Sequence, residues 1–275
     1  MYIVNHFMNK VAIITGGGAG IGRELCFQLS KLGTSVVVAD IREDHAKMTA
    51  DQIINSGGTA NYMRVDVASE TDIQQLIDDT VLQYGRIDYM FNNAGIAIGG
   101  DVRDLTLAQW KKVMDINLNG VLYGSTIAYR VMAKQGFGHI INTASATGLM
   151  PQPGNTPYCA SKHAVVGLSQ SLRYEGVDVG VKVSIICPGH VQTDIYKNMT
   201  VANVPNEKIV ESLPVGAMNP SEAVDIILKG IIKNKAIIIF PTSVRWAWRI
   251  YRLFPRLLDQ AWLQKIRSIR KLKNG

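Results

Sequence analysis

Lys10-Val11-Ala12-Ile13-Ile14-Thr15 runs directly into Gly16-Gly17-Gly18-Ala19-Gly20-Ile21-Gly22. The first six residues are an apolar, β-branched run of the kind that forms a strand buried on both faces. Residues 23–32 follow with Leu25, Phe27 and Leu29 apolar and Gly33 just past their end, the pattern of a helix with a glycine stop. A strand, a glycine turn and a helix in succession make a phosphate site. The glycines permit a tight turn and close backbone approach to a pyrophosphate, and the helix N-terminus offers unpaired N–H groups with partial positive charge. Taken alone, glycines spaced T-G-x-x-x-G-x-G suit a flexible turn equally well, so what lies downstream decides.

A second apolar run, residues 35–39, ends in Asp40-Ile41, with Asp40 placed 18 residues after Gly22. A carboxylate at that strand tip can accept hydrogen bonds from both ribose hydroxyls of NAD and repels the extra phosphate of NADP. Arg42 can accommodate that phosphate, so NAD is favoured and NADP stays open. Further strand-like runs occupy 61–65, 87–92, 139–143, 182–188 and 236–240, and helical stretches occupy 44–55, 71–84, 106–135, 157–177 and 220–233. This alternation implies right-handed crossovers. The expected fold is α/β, a Rossmann-type doubly wound seven-stranded parallel sheet with helices on both faces. Residues 1–242 form one dinucleotide-binding catalytic domain, and residues 243–275 a basic amphipathic extension. Asp40, Asp66, Asn93, Ser145 and Pro188 all fall at or just past the carboxyl end of a strand, where such sheets bind ligands.

Tyr158-Cys159-Ala160-Ser161-Lys162 spells Y-x-x-x-K, with Ser145 lying 13 residues upstream of the tyrosine. Helical spacing puts Tyr158 and Lys162 on one face. The ammonium favours the phenolate and brings the phenol into range as a general acid or base for a carbonyl–alcohol interconversion. The hydride half of that reaction needs a nicotinamide, which the N-terminal motif can hold.

With these pieces the chain resembles the short-chain dehydrogenase/reductase family from about Lys10 to about Phe240. Thr15 to Gly22 matches the family's glycine motif, which implies phosphate contacts at Gly16, Gly20, Ile21 and Gly22, with Asp40 and Ile41 beyond. Asp66-Val67 matches the pair that contacts adenine. Asn92-Asn93-Ala94-Gly95 matches N-N-A-G, which steadies the sheet and approaches the cofactor. Pro188-Gly189-His190-Val191-Gln192-Thr193 matches P-G-x-V-x-T, whose threonine holds the carboxamide. Asn117, in M-D-I-N-L-N-G, stands where the family carries its catalytic asparagine. Ser145 fills the last slot of N-x-S-S, with Ala144 departing at the third. The resemblance therefore implies a catalytic set of Asn117, Ser145, Tyr158 and Lys162, with Tyr158 and Lys162 also touching the cofactor. It also implies a substrate lid between His190 and Met218, and a homodimer or homotetramer paired through the helices at 106–135 and 157–177.

The three cysteines, Cys26, Cys159 and Cys187, include no C-x-x-C pair, and the five histidines show no ligand spacing, so reduced thiols, a cytoplasmic setting and no metal are expected. No signal peptide or membrane-spanning run is expected. The net charge of +7 is carried by the tail: from residue 245 onward there are six Arg, three Lys and one acid, Asp259, which leaves the rest at −1. After Pro255, Leu258, Trp262, Ile266, Ile269 and Leu272 fall on one helical side. Such a basic amphipathic helix suits an anionic membrane surface. The alternative is that it packs on the body or on a second subunit, and no nucleic-acid partner is expected.

The function expected is hydride transfer between NAD(H) and a secondary alcohol or ketone. Ile195, Tyr196, Met199, Val201, Val204, Ile209, Val210 and Leu213 in the lid, with Ala97, Ile98, Leu149 and Met150, point to a lipophilic small-molecule substrate. The alternatives are an NADPH-dependent ketoacyl-type reductase and a non-catalytic dinucleotide-binding regulator. The complete Asn–Ser–Tyr–Lys set argues against the regulator.

Overall fold

The computed structural model describes residues 2–193, 195, 199–203 and 217–273. In chain order the strands are β1 (Val11–Thr15), β2 (Ser35–Asp40), β3 (Ala60–Arg64), β4 (Tyr89–Asn92), β5 (Ile98–Gly99), β6 (Gly138–Thr143), β7 (Val181–Pro188), β8 (Thr200–Val201) and β9 (Ile237–Phe240). Seven of them form one sheet in the order β3-β2-β1-β4-β6-β7-β9, and every neighbouring pair is parallel. β5 and β8 pair separately. The chain winds outward from β1 to β3, returns to lay β4 against β1, and winds the other way. That reversal opens a crevice beyond the carboxyl ends of β1 and β4.

Adjacent residues of the strands serve opposite layers. Ile14, Val38, Phe91 and Ile141 pack with Leu25, Leu29, Ile227 and Leu228, whereas Ile13, Val37, Met90 and Ile140 pack with Ile73, Leu76, Ile127 and Met132. Burial on both faces is the physical reason these strands are continuous apolar runs. The helices Gly20–Lys31 and Pro220–Ile232 supply one layer, and Glu70–Tyr84 and Gly120–Gln135 the other. A buried polar bolt crosses the sheet's centre. The Asn92 amide donates to Asn142 Oδ1 at 2.8 Å, and the Asn142 amide donates to Ser169 Oγ at 2.9 Å and to Ser125 Oγ at 3.0 Å. Opening such a network leaves groups unsatisfied at about 1–3 kcal/mol each.

The sequence pattern did not announce a short N-terminal helix, the pair β5 and β8, or a break in one expected helix. A six-residue helix, Tyr2–Phe7, seats the fully buried Phe7 in the core, and Thr34 Oγ1 donates to the Phe7 carbonyl at 2.8 Å. The expected helix at 106–135 is Leu107–Met114 and Gly120–Gln135 joined by a π-helical segment, Asp115–Asn119. The tail comprises the helix Thr242–Leu253, a 3₁₀ turn Pro255–Leu258 and the helix Asp259–Lys273.

Candidate active site

Gly16 and Gly20 adopt φ of +64° and +53°, the left-handed region that glycine enters without strain. A side chain on Gly22 would run into the Gly16 carbonyl and the Asn93 amide, so this glycine packs the helix onto the turn. Thr15 at the end of β1 clamps the two halves of the crevice. Its Oγ1 donates to the Phe91 carbonyl at 3.2 Å and accepts from the Asn93 and Ala94 N–H groups at 3.0 and 3.2 Å. The Asp40 carboxylate accepts main-chain N–H bonds from Gly18 and Arg42, each at 3.0 Å, which fixes it at the tip of β2.

These groups open onto one cavity of about 620 Å³. Gly16, Gly20, Ile21, Asp40, Ile41, Asp66, Val67, Asn93, Ala94 and Gly95 line it. Ser145, Tyr158, Lys162, Pro188, Gly189, Val191 and Thr193 line it as well, with Thr193 beside Gly20 and Gly95 facing Lys162. Of the residues expected from the sequence, Gly22 and Asn117 stand behind the wall rather than on it. The turn, the helix N-terminus and the anchored carboxylate fit a dinucleotide laid across the crevice. Asp40 suits the ribose, and Gly16 to Gly20 suit the pyrophosphate.

The helix Thr156–Glu175 sets Tyr158 and Lys162 one turn apart, with the Lys162 Nζ 5.6 Å from the phenol ring centroid. Lys162 is buried and donates to the Thr143 carbonyl at 2.8 Å, and burial brings its pKa down to about 8. Asn117 sits in the π-helical segment, a distortion that re-aims side chains and recurs at functional sites. Its Oδ1 accepts from the Ile96 N–H at 2.8 Å, and its amide donates to the Ile96 carbonyl at 2.9 Å and to Ser161 Oγ at 3.3 Å. A Cβ on Gly95 would lie 3.1 Å from Asn117 Oδ1 and 3.5 Å from Lys162 Nζ, so a glycine there leaves room between them. Ser145 Oγ accepts from the Thr147 N–H at 3.2 Å.

Some of the apolar residues expected around a substrate line the cavity. Ile195, Met199 and Ala97 line the cavity, as do Ile96 and Ile116. Leu149 and Met150 do not; they pack in the core beside Val165 and Ile185. Tyr196, Val204, Ile209, Val210 and Leu213 lie outside the described residues. Gln152, Asn155 and Thr147 line the cavity and were missed, because isolated polar residues in a loop carry no periodic signal. His190 lines the cavity, whereas His163 is exposed and donates its Nδ1–H to the Cys159 carbonyl at 2.9 Å. Cys159 is half-buried, with its Sγ 3.2 Å from the Thr147 carbonyl.

The tail reaches the same region. Arg270 Nε donates to Asp101 Oδ2 at 2.7 Å, and Asp101 also binds Arg103, so the two guanidinium groups hold its carboxyl well below the usual range. Ile269 lies against Gly154. Burial lowers the His190 pKa, with Lys265 of the tail as a second cause, and burial lowers Lys265 itself. Leu258 and Trp262 pack on the core beneath. Of the alternatives open for the tail stripe, contact with the body therefore describes Leu258, Trp262 and Ile269.

Residues 10–203 match the family model described as short chain dehydrogenase. The chain is 33% identical over 235 residues to cyclohexanol dehydrogenase of Acinetobacter sp. (strain SE19), covering 84% of this chain and 91% of the relative. It is 35% identical over 192 residues to 3beta-hydroxysteroid dehydrogenase 2 of Eggerthella lenta, covering 69% and 74%. Among solved structures, a short chain dehydrogenase/reductase from Burkholderia phymatum in complex with NAD superposes with a TM-score of 0.85 at 28% identity, covering 91% of this chain and 95% of that one.

Proposed function

The chain belongs to the short-chain dehydrogenase/reductase family, NAD(P)-dependent oxidoreductases of CH–OH groups, and from that premise we propose that it interconverts a lipophilic secondary alcohol and its ketone with NAD(H). The observation that carries the proposal is a buried ammonium, Lys162, one helical turn from Tyr158 and opening onto the same cavity as the glycine turn and Asp40.

The nicotinamide of a bound dinucleotide supplies the hydride acceptor or donor. Tyr158 takes the hydroxyl proton in oxidation and returns it to the carbonyl oxygen in reduction. The Lys162 ammonium favours the phenolate and would hold the nicotinamide ribose. Ser145 donates to the substrate oxygen as its charge changes. Asn117, locked to the Ile96 backbone, steadies the wall beside Lys162 and, by resemblance to the family, a water linking that lysine to solvent. Thr193 stands close to Gly20 and would hold the carboxamide.

Two features support the finer reading. The anchored Asp40 favours two ribose hydroxyls over a phosphate, and Ile96, Ala97, Ile116, Ile195 and Met199 make an apolar wall. The relatives that act on cyclohexanol and on a steroid point to cyclic alcohols. A panel of cyclic and steroid secondary alcohols, assayed by NADH formation with NAD and NADP in parallel, tests this. Turnover with NAD on apolar cyclic alcohols is expected, and turnover confined to NADPH and an acyl thioester would instead establish the ketoacyl-type alternative. Pairing of copies through the two long helices would cover Leu107 and Tyr174, which are strongly exposed. Sedimentation velocity checks that assembly, and a monomer would count against it.

A further inference from the structure

We infer that the outer face of the helix Thr242–Leu253, continued by the turn after it, docks on an anionic lipid surface. The inner face is already used: Val244, Ala247, Trp248 and Tyr251 pack on the core. The opposite side carries Trp246, Ile250 and Leu253 at helical spacing, followed by Phe254 and Leu257, all exposed, with Leu253 and Leu257 at 73% and 66%. Five large apolar side chains in a dozen residues form a patch too concentrated to be scattered surface hydrophobics.

The cations determine the occupant. Arg249, Arg252 and Arg256 are exposed and interleave with these residues, and the Arg249 guanidinium lies 4.9 Å from the Trp246 ring centroid. Between residues 245 and 258 there is no acid, whereas the chain outside the tail is close to neutral. Two copies meeting through this face would set these arginines against their counterparts, a like-charge cost. A phosphodiester chain would satisfy the arginines but offer nothing to Leu253, Phe254 and Leu257. A bilayer interface satisfies both, with headgroup phosphates for the arginines, an acyl boundary for the apolar groups and a wet, half-apolar zone for tryptophan. Among the described residues no helix is long and apolar enough to cross a membrane, so attachment is to the surface. This face differs from the stripe expected from the sequence, whose Leu258, Trp262 and Ile269 are committed to the body and held there by the Arg270–Asp101 ion pair.

The test is sedimentation of the full chain with phosphatidylcholine vesicles, with and without phosphatidylglycerol. Binding is expected only to the anionic vesicles and should weaken with salt. Replacing Arg249→Gln and Arg256→Gln should weaken it about fivefold per arginine. Phe254→Ala with Leu257→Ala should weaken it at least about tenfold. NADH fluorescence titration and turnover of a water-soluble alcohol should be unchanged in all variants, which separates failure here from failure of the enzymatic assignment. Three results would overturn the inference: wild-type protein that does not sediment with anionic vesicles, variants that bind as wild type does, or a wild-type dimer that Phe254→Ala dissociates, which would assign the face to a second copy.

Discussion

Lys162 is a buried cation whose one hydrogen bond described goes to a main-chain carbonyl, that of Thr143. Burial brings its pKa down from 10.5 to about 8, so it is charged below that pH and neutral above it. Because the charged form supports the phenolate of Tyr158, the pH profile of kcat/KM should turn down above about 8 in the free enzyme. Lys162→Met should lower kcat/KM by about 10²–10⁴-fold and abolish that limb. A flat alkaline profile in the wild-type enzyme would contradict the role. Asp40→Ser removes the charge that repels a 2′-phosphate, so the ratio of NADP to NAD affinity should rise in fluorescence titrations, and an unchanged ratio would move discrimination elsewhere.

At the scale of elements, close approach of the helix Gly120–Gln135 to β4 depends on Gly124, because a side chain there would collide with Asn92. Gly124→Ala should destabilise by about 1–3 kcal/mol in urea melts through overpacking and disturbance of the polar bolt. The ion pair between Arg270 and the buried Asp101 joins the last helix to the loop after β5. Arg270→Met should raise hydrogen–deuterium exchange in residues 259–273 while leaving the sheet protected. How much of this was legible in the sequence differs by element. The inner strands were plain, because two-sided burial writes apolar runs; the edge strand β3 is only partly buried and reads more weakly, and the helices followed to within a few residues. The helix Tyr2–Phe7 was not, since one buried phenylalanine and tertiary contacts hold it. β5 and β8, two residues each, exist only by mutual pairing. The π-helical segment carries no periodic signature, and Asp101 and Arg270 stand 169 positions apart. Ser145, Tyr158 and Lys162, which line one cavity, were easier to pick out than the residues around them, because they come in order with chemically demanding types. Periodicity found the stripe of the tail, but a period cannot say what a face will meet.

At the scale of the molecule, a histidine buried in the sheet contributes to the response to acid. His139 is buried beside Ser184 Oγ at 2.8 Å, and burial, followed by Lys182, Arg173 and His6, lowers its pKa from 6.5 to about 3. The unfolded chain binds a proton at this group that the folded one refuses between those values. Stability should therefore fall as pH drops through that window, by about 1.4 kcal/mol per unit from this group. His139→Gln should flatten the slope in urea melts followed across the same range. The whole fold brings a glycine turn, an anchored carboxylate and a tyrosine–lysine pair to one cavity, where the proposed mechanism has the Tyr158 phenol move the proton. The most direct measurement compares wild type with Tyr158→Phe, following NADH formation from a lipophilic secondary alcohol and, in parallel, NADH binding by fluorescence. Turnover should fall by about 10²–10⁴-fold while cofactor affinity is retained. Turnover close to wild type in the phenylalanine variant would contradict the account.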